Sequence, residues 1–259
     1  PFFCKLDEII KGCYNYKYIK CQLEEDLDYK RILLKLSGEA LAPASGTGID
    51  DQVLFKVADQ IRLLYEKGYE IAIVVGGGNF WRGRSSGEMD RSTADYMGML
   101  ATVINGLALQ DAIEKFDIPT RVMSAIEMPK VAEAYIRRKA LSHLEKGRVI
   151  IFSGGIGNPF FSTDTTAALR AAEIEAEIVL FAKTVDGVYD KDPVLHSDAK
   201  RYSSMSYRDI IVGGLKVMDQ TAATLLMENG IPSFVFSMKE DNSLIEALEN
   251  EEKGTIIRR

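Results

Sequence analysis

A run of apolar residues that ends in three consecutive glycines is the feature that most constrains how this chain folds. Residues 71–75 read Ile-Ala-Ile-Val-Val, and Gly76, Gly77, Gly78 and Asn79 follow directly. The apolar residues do not alternate with polar ones, so the run predicts a parallel strand that is buried on both faces. Glycines have no Cβ, so the backbone N–H groups of this loop can approach an anion closely, and Asn79 is a residue type that begins helices. The loop therefore predicts either a phosphate site or a tight strand-to-helix turn that requires glycine.

Two other apolar segments of the chain end in glycines in the same way. Residues 31–38 predict a short strand that ends in Ser-Gly, and residues 149–158 predict a strand that ends in a glycine-rich loop. Ligands bind at the carboxyl ends of the strands in open α/β sheets. Turn chemistry alone does not readily explain three such strand ends, which together predict one crevice that holds a chain of phosphates.

Short apolar strands alternate with amphipathic helices from residue 29 onward. Helices are predicted over residues 50–67, 92–116, 130–146, 163–175, 216–229 and 241–250. Further strands are predicted over residues 177–182 and 233–236, with an edge strand at residues 255–257. Strands separated by helices indicate the α/β class, here a three-layer αβα sandwich with a mostly parallel central sheet.

The composition excludes several other classes of protein. The chain has 259 residues, an apolar fraction of 46% and a net charge of −6, from 32 basic and 38 acidic residues. That size allows one large domain or two small lobes, and the negative charge disfavours nonspecific nucleic-acid binding. No apolar run approaches the roughly 20 residues that cross a bilayer, and no signal peptide is evident. We expect a soluble cytoplasmic protein without nucleic-acid or membrane partners.

Residues 1–28 do not continue this pattern, and they predict an N-terminal extension of unknown role before a domain over residues 29–259. All three cysteines, Cys4, Cys13 and Cys21, lie in the extension. Their odd number and wide spacing fit neither a disulfide framework nor a zinc site, so we interpret them as ordinary thiols. The extension fits either an interaction arm, through its tyrosines and lysines, or a poorly packed end of the domain.

Lys35 is the charged residue least expected at its position, because it lies between Leu34 and Leu36 in a run typical of a buried strand. Burial of an ammonium group is costly unless its charge is paired. Beside a glycine-rich strand end, a phosphate is its natural partner. The alternative is a lysine on an edge strand that faces water.

Hydroxyl and carboxyl side chains follow the third glycine loop, where a helix is predicted to begin. Ser162, Thr163 and Asp164 are all residue types that cap helices, and one of them is expected to do so. Their number beside a glycine loop favours a phosphate site, in which Asp164 orients a lysine.

Residues 185–193 follow a predicted strand and are rich in turn-forming residues. By themselves they predict a surface loop. Within a nucleotide site, Tyr189 could stack on a base and Asp192 could accept hydrogen bonds from a sugar.

Other catalytic motifs are absent or lack their structural context. The chain has neither the P-loop pattern nor the dinucleotide fingerprint. Residues 83–87, Gly-Arg-Ser-Ser-Gly, match the pattern of serine hydrolases, but no strand is predicted directly before them and no helix directly after. The two histidines, His143 and His196, are isolated. A serine hydrolase and a histidine metal centre are therefore not expected.

Six blocks of the chain carry a family resemblance. They are residues 29–41, residues 76–79 with Arg82 and Gly83, and residues 95–102, 157–164, 185–189 and 215–219. Together they resemble the bacterial UMP kinases (uridylate kinases) of the amino acid kinase superfamily, which uses no P-loop. The resemblance covers residue 29 to the C-terminus. It implies an amino acid kinase fold and transfer of the ATP γ-phosphate to UMP, in pyrimidine nucleotide biosynthesis.

The resemblance also implies roles for individual residues. The ATP phosphates would be held by Lys35, Leu36, Ser37, Gly38, Gly78 and Arg82, with Lys35 stabilising charge during transfer. The adenosine end would be held by Lys183, Tyr189 and Asp192, although the family has a small polar residue at the position of Lys183. UMP would be held by Gly77, Asp95, Ile156, Gly157, Asn158, Pro159, Phe160, Phe161, Ser162 and Thr163, with Asp95 on the ribose. Asp164 and Asp219 would organise the surroundings of Lys35 and of the Mg²⁺ that arrives with ATP.

Regulation and assembly are further implications of the resemblance. The activator GTP would bind at Pro43, Ala44, Ser45, Gly46, Thr47 and Gly48, and UTP would act as an inhibitor. The chain would form a homohexamer, with UMP mainly in an N-terminal lobe and ATP mainly in a C-terminal lobe. The predicted helix over residues 92–116 gives some independent support, because it is more apolar than one core face requires. The alternative is a helix buried in the centre of its own domain. In either case Met97 and Met99 are predicted to be core residues and not functional ones.

Two other functions remain open at this point. One is a different kinase of the superfamily, and the UMP-type sequences at residues 157–161 and 216–219 argue against it. The other is a catalytically silent relative that binds nucleotides, and the presence of Lys35 and Asp164 argues against that.

Overall fold

The computed structural model describes residues 29–81, 88–215 and 217–259, and within them a nine-stranded sheet lies between two layers of helices. The strands are β1 (Arg31–Leu36), β2 (Glu70–Val75), β3 (Thr120–Ser124), β4 (Glu133–Ala134), β5 (Val149–Ser153), β6 (Ile178–Lys183), β7 (Val188–Tyr189), β8 (Arg201–Tyr202), β9 (Ser204–Ser206), β10 (Ser233–Ser237) and β11 (Gly254–Arg258). β7 and β8 pair with each other as a separate ribbon, and the other nine strands form the sheet.

Seven α-helices pack against the sheet in the described ranges. They are α1 (Asp51–Glu66), α2 (Arg91–Glu114), α3 (Arg137–Glu145), α4 (Thr163–Glu173), α5 (Tyr207–Gly213), α6 (Gln220–Asn229) and α7 (Ser243–Glu249). Short 3-10 helices occur at Gly38–Leu41 and Glu251–Lys253. Of these helices, none combines the length and the apolar character needed to cross a membrane.

The sheet is parallel except at one pair of strands. The strand order is β4-β3-β5-β2-β1-β6-β10-β11-β9, and only β10 and β11 run antiparallel to each other. β1 lies in the middle, where Lys35 stands opposite Val74 of β2 and Phe181 of β6. The carboxyl ends of β1, β2, β5 and β6 therefore lie along the same edge of the sheet.

Two apolar cores, one on each face of the sheet, hold the layers together. α1, α2 and α7 cover the first core, which includes Leu34 and Ile73. α3, α4, α5 and α6 cover the second core, which includes Leu33 and Phe181. Because successive side chains of a strand point to opposite faces, Lys35 faces the second core together with Leu33. Both faces are covered, which explains why the strands are apolar without alternation.

The predicted three-layer αβα sandwich with a mostly parallel sheet is confirmed, but three predicted elements are partly wrong. Residues 130–136 are not helical, because β4 pairs with β3 there and the N–H of Tyr135 donates to the Ser124 carbonyl. α6 begins at Gln220 instead of residue 216, because Asp219 caps it. β11 is not an edge strand, because it lies between β10 and β9.

Candidate active site

The three glycine-bearing strand ends meet at one edge of the sheet. The loops after β1, β2 and β5 surround a cavity of about 240 Å³, and the start of α4 forms part of its wall. The cavity is lined by Lys35, Ser37, Gly38, Gly76, Gly77, Gly78, Trp81, Asp95, Gly98, Met99, Thr102, Gly155, Phe161, Ser162, Thr163 and Thr166. Most of these residues are small or polar, so backbone groups and hydroxyls line much of the cavity.

Packing requires glycine at Gly38 and Gly77 in the first two loops. A Cβ at Gly77 would lie 2.7 Å from the carbonyl oxygen of Gly98 and 2.8 Å from the Cβ of Ala101, both in α2. A Cβ at Gly38 would lie 2.7 Å from the carbonyl oxygen of Gly76. Only glycine lets the two loops pack on each other and on α2. The predicted requirement for glycine is therefore confirmed, but the loop is not a tight strand-to-helix turn, because α2 begins only at Arg91. The same packing leaves the loop backbone beside the cavity.

Asn79 and Asn105 form a buried pair of side-chain amides behind the glycine loop. Nδ2 of Asn105 donates to the Gly76 carbonyl oxygen and to Oδ1 of Asn79, at 2.7 Å each. Nδ2 of Asn79 donates to the Gly48 carbonyl oxygen at 2.7 Å and to Oδ1 of Asn105 at 3.0 Å. The N–H of Gly48 donates to the Asn79 carbonyl oxygen at 3.0 Å. The pair thus joins α2, the glycine loop and the end of the loop over residues 43–48.

This pairing corrects the role that the residue type of Asn79 suggests. Asn79 does not cap a helix, and its side chain is 2% exposed. The next helix, α2, is capped instead by Asp90, whose carboxylate accepts from the N–H of Thr93 at 2.9 Å. Asn79 is held inside the fold by the backbone carbonyl of Gly48 and the side-chain amide of Asn105, which come from distant parts of the chain.

Thr102 connects the third glycine loop to α2. Its Oγ1 accepts from the N–H of Gly154 at 2.8 Å and donates to the Met99 carbonyl oxygen at 2.7 Å. Oγ of Ser153 donates to the Thr102 carbonyl oxygen at 3.3 Å. Gly77 also packs against α2, and Asn105 is part of this helix. The helix therefore positions the second and third glycine loops together.

The first turn of α4 lies at the cavity and is tied to the start of α6. Oγ of Ser162 caps α4 and accepts from the N–H groups of Asp164 and Thr165 at 3.0 Å each. The carboxylate of Asp219 accepts from the hydroxyls of Ser162 and Thr165. It also caps α6, by accepting from the N–H of Ala222 at 2.9 Å. Helix N-termini carry partial positive charge, so this arrangement favours an anion in the cavity.

Two lysine side chains meet the Asp164 carboxylate beside the cavity. Nζ of Lys35 lies 2.7 Å from Oδ1, and Nζ of Lys183 lies 3.5 Å from Oδ2. Lys35 is 6% exposed and belongs to the central strand, so the edge-strand alternative is wrong. Burial alone would raise the pKa of the Asp164 carboxyl, but the two ammonium groups outweigh burial and hold that pKa below its usual value.

Lys183 is also perturbed by this arrangement. Burial lowers the pKa of the Lys183 ammonium, and the charge of Lys35 lowers it further, against the opposing attraction of Asp164. We refer to Lys35, Asp164 and Lys183 as the ion cluster. Perturbed titratable groups beside a cavity are typical of functional sites.

Asp95 holds the loop that leads into α4. Its Oδ2 accepts from the N–H of Phe160 at 2.8 Å and from Nε of Arg91 at 2.9 Å. The Arg91 guanidinium also lies over the Phe160 ring, 5.7 Å from its centroid. These contacts stabilise Phe160 at a φ of +74°, which is uncommon outside glycine. Neither hydrogen bond uses Oδ1 of Asp95.

A second cavity, of about 530 Å³, lies where β6 ends and the β7–β8 ribbon begins. It is lined by Lys183, Val185, Gly187, Val188, Tyr189, Asp190, Lys191, Asp192, Pro193, Gly214, Leu215, Val217 and Val235. The three residues predicted for the adenosine end are among them. Lys35 lines the first cavity and Lys183 lines the second, so the ion cluster lies between the two cavities.

Several other residues predicted to bind nucleotides line neither cavity. The Leu36 side chain lies in the first core, and its carbonyl oxygen accepts from the N–H of Gly76, so only its backbone is near the site. Residues 43–48 form a turn in which the N–H of Gly46 donates to the Pro43 carbonyl. Five residues predicted to bind UMP lie in the loop between β5 and α4 and line neither cavity: Ile156, Gly157, Asn158, Pro159 and Phe160. Arg82, the hydrolase-like residues 83–87, Lys216 and the extension over residues 1–28 lie outside the described residues.

Comparison with known proteins adds to this geometry. Residues 30–237 match the family model of the amino acid kinase family. The chain belongs to the amino acid kinase family. It is similar to a UMP kinase from Ureaplasma parvum, with 40% identity over 90% of this chain and 100% of that chain, and a TM-score of 0.85. It is also similar to a UMP kinase from Bacillus anthracis, with 39% identity over 89% of this chain and 96% of that chain, and a TM-score of 0.86. The predicted resemblance is confirmed.

Some residues at the site of this amino acid kinase were not predicted to be functional. Thr102 and Asn105 fix the glycine loops, and Trp81, Met99 and Thr166 line the first cavity. The signal that could have indicated the first two is polarity at buried positions of an apolar helix, as for Lys35 in its strand.

Two predictions about methionines of α2 have different outcomes. Met99 is buried, as expected, but it also lines the first cavity. Met97 is not a core residue, because its side chain is 37% exposed. A helix of this length presents one side to its own domain and the other to the surface.

We predict that Asn105→Asp displaces the glycine loop of this kinase. The substitution keeps the side-chain shape but places an oxygen where Nδ2 now donates to Gly76 and Asn79. It should lower the free energy of unfolding by about 1–3 kcal/mol or more, because buried polar groups lose their partners. Turnover should fall about tenfold or more, as for other misplaced catalytic loops. Urea unfolding and steady-state kinetics measure the two effects.

Asn229→Asp is the matched control for this prediction. Asn229 also donates from Nδ2 to a carbonyl, that of Leu225 at 2.8 Å, but on an exposed helix end. It should change both quantities little. Wild-type stability and turnover of Asn105→Asp would show that the amide pair does not position the loop.

Proposed function

We propose that this chain is a UMP kinase, which transfers the γ-phosphoryl group of ATP to UMP and produces UDP. The observation that carries the proposal is the ion cluster between two cavities, at the glycine-rich ends of parallel strands. Identity of 39–40% to two UMP kinases over nearly their whole length supports the choice of UMP as acceptor. The same identity favours this function over another kinase of the family, and the buried pair of Lys35 and Asp164 favours it over a silent relative.

The first cavity is the proposed UMP site, and the second is the proposed site of the ATP adenosine. Asp95, Gly77, Phe161, Ser162 and Thr163 line the first cavity, and their small or polar groups suit a ribose and a phosphate. The second cavity combines a tyrosine ring with an acidic side chain, which suits a base and a ribose. UMP would thus lie mainly in the N-terminal lobe and ATP mainly in the C-terminal lobe, with the phosphates between them at the ion cluster.

A third cavity, of about 460 Å³, is a poorer candidate for adenosine. It is lined by Phe236, Ser237 and Ser243 among others, and so lies on the α7 side of the sheet. Lys35 and Asp164 lie on the other side, against α4. The third cavity shares Tyr189 with the second, but Lys183 and Asp192 line only the second cavity.

The proposed reaction needs positioning and charge stabilisation more than acid–base chemistry. A phosphate oxygen of UMP is already anionic and attacks the γ-phosphorus of ATP without a general base. The Lys35 ammonium stabilises negative charge on the transferring group, and Asp164 fixes that ammonium in place. The N-terminus of α4 and the backbone of the glycine loops favour the phosphates.

Mg²⁺ is the proposed cofactor, carried to the site by ATP. Within the described residues, no group of three or more His, Cys, Asp or Glu side chains is placed to hold a metal ion. Mg²⁺ often binds through substrate phosphates and water with few protein ligands, so the donor set fits an ion delivered with the nucleotide. When bound, it would neutralise charge on the ATP phosphates. As an enzyme of pyrimidine nucleotide biosynthesis, the chain would act in the cytoplasm.

We predict that substitutions at Lys35 and Asp95 change different kinetic parameters. Lys35→Ala should lower kcat about 100-fold or more, because the charge matters most as the phosphoryl group transfers. Asp95→Asn should mainly raise the KM for UMP, because a ribose contact is shared by the ground and transition states. Steady-state kinetics with UMP and Mg-ATP varied in turn measure both.

Each variant serves as the control of the other. If Lys35→Ala keeps near-normal turnover, Lys35 has only a structural role. If Asp95→Asn weakens ATP and leaves UMP unaffected, the two ends of the site are assigned in the wrong order.

We further propose that the exposed side of α2 joins copies of this chain in a homohexamer. Leu100 and Ile104 are 50% and 48% exposed, and Met97 lies one turn before Leu100 on the same side of the helix. Val103 and Leu109 of the same helix are buried in its own domain. The buried row fits a helix packed inside its own domain, and an exposed apolar row of this kind suits a subunit interface.

We predict that Leu100→Glu combined with Ile104→Glu dissociates the assembly at micromolar concentration, because four introduced negative charges would meet in a twofold contact. Light scattering after size-exclusion chromatography measures the mass. Val212→Glu on α5, another exposed apolar position, is the control and should leave the mass unchanged. A monomeric wild-type chain, or a double variant that stays a hexamer, would contradict the interface.

GTP is the proposed activator, acting at the loop over residues 43–48, and UTP is the proposed inhibitor. Gly48 bonds to Asn79, whose partner Asn105 holds the Gly76 carbonyl. Ordering of this loop by a nucleotide would therefore act directly on the glycine loop of the site. The contact supplies a route for coupling between the two sites.

We predict that GTP shifts the dependence of rate on UMP and that Gly46→Ala reduces this shift about fivefold or more. Gly46 has a φ of +86°, so a side chain there strains the loop. Gly230→Ala, at a φ of +65° behind α6, is the control, since it also places a side chain at a positive φ but away from the loop. UTP is assayed in the same way. Rates indifferent to both nucleotides would contradict the regulatory proposal.

A further inference from the structure

Arg91 occupies a position that its own helix does not favour. It is the first residue of α2, where a basic side chain meets the partial positive charge of the helix N-terminus. Its partner Asp95 follows four residues later, and pairs of this spacing stabilise a helix better when the acidic residue comes first. The side chains of Arg91 and Asp95 are 42% and 15% exposed. Solvated ion pairs add little to stability, so the stability of α2 does not explain the presence of Arg91.

The contacts of Arg91 lead instead to the proposed acceptor site. Its Nε donates to Oδ2 of Asp95 at 2.9 Å, and its guanidinium lies 5.7 Å from the centroid of the Phe160 ring. The N–H of Phe160 donates to the same Oδ2 at 2.8 Å. Asp95 lines the first cavity, whereas Arg91 does not. Arg91 therefore reaches the proposed UMP site only through the carboxylate of Asp95 and the loop that holds Phe160.

Both of these hydrogen bonds end on one oxygen of the Asp95 carboxylate. Two donors on Oδ2 fix the rotation of the group, and within the described residues Oδ1 accepts no hydrogen bond. An ionised carboxylate accepts at both oxygens, so Oδ1 is the atom that remains for a ribose hydroxyl. Without Arg91, a single donor would hold the carboxylate, and Oδ1 would be free to turn away from the cavity. A site built to bond a substrate hydroxyl discriminates strongly against an analogue that lacks it.

We propose that Arg91 is a positioning residue that makes the acceptor site selective for a ribose over a deoxyribose. It acts through Asp95, whose Oδ1 it holds toward the ribose hydroxyls of UMP. Arg91 itself contacts neither the sugar nor the reacting phosphates, so it affects the binding of the acceptor and not the transfer step. The proposal rests on the proposed function, and in particular on the first cavity as the UMP site.

The test compares Arg91→Met with Arg62→Met, because Arg62 of α1 makes the same kinds of contact and lines none of the three cavities described above. Arg62 donates at 2.7 Å to Glu66, four residues later, and lies 5.6 Å from the centroid of the Phe116 ring. The substrates are UMP, 2′-deoxy-UMP and 3′-deoxy-UMP, each varied at saturating Mg-ATP. Thermal unfolding reports whether the variants fold.

We expect Arg91→Met to raise the KM for UMP about tenfold and to leave kcat at saturating UMP within about twofold of the wild type. The deoxynucleotide that lacks the hydroxyl bound by Asp95 should lose less than about twofold in kcat/KM, because that contact is already missing. In an Asp95→Asn background, Arg91→Met should change the KM for UMP less than about twofold. Arg62→Met should match the wild type on all three substrates.

Four outcomes would overturn the proposal. The first is an unchanged KM for UMP in Arg91→Met, and the second is a wild type that uses all three substrates equally. The third is an equal loss on UMP and both deoxynucleotides, which would show that Arg91 fixes the loop of Phe160 as a whole. The fourth is that the effects of Arg91→Met and Asp95→Asn add.

A second variant covers a failure of Arg91→Met to fold. Arg91→Ala removes the same contacts and places a strong helix former in α2, so it is assessed by the same criteria. Unfolding of both variants would assign Arg91 a structural role and overturn the proposal. A wild-type chain inactive on UMP contradicts the proposed function, whereas an active wild type with a silent Arg91→Met substitution contradicts only this inference.

Discussion

The pairing of a buried lysine with a carboxylate from another layer organises much of this molecule. Lys35 lies in the central strand of a sheet covered on both faces, where an unpaired ammonium would be costly. Its partner Asp164 is in the first turn of α4, which Ser162 caps. Ser162 in turn donates to Asp219 at the start of α6. The ion pair is thus connected, through Ser162 and Asp219, to the hydrogen bonds that cap α4 and α6.

The helix α2 is the second organising element, and it serves two surfaces. Toward the sheet it packs on Gly77 and holds the glycine loops through Thr102 and Asn105. Away from the sheet it exposes Leu100 and Ile104. Close-packed interiors are barely compressible and transmit strain. The proposed assembly and the proposed nucleotide site therefore share a structural element.

Local patterns were sufficient for the fold class and for the position of the crevice. Apolar runs without alternation predict parallel strands buried on both faces, and the glycines at their ends predict where chains approach closely. The same patterns failed at residues 130–136, where pairing of β4 with β3 overrides a helical sequence. They also did not indicate the short strand β9 or the helix α5, whose seven residues are too few for a clear period.

The sequence by itself determined the residue types at the site: glycines at three strand ends, a lysine in an apolar strand, and hydroxyl and acidic residues at a helix start. Only the tertiary structure decided their partners. Asn79 has the residue type of a helix cap, yet it binds Asn105 and Gly48 inside the fold. Lys183 follows the strand predicted over residues 177–182, like many surface lysines, yet in the structure it ends β6 and shares Asp164 with Lys35. Hydrogen bonds and ion pairs depend on distances of a few ångströms between segments far apart in the chain, and those distances exist only after the layers have packed.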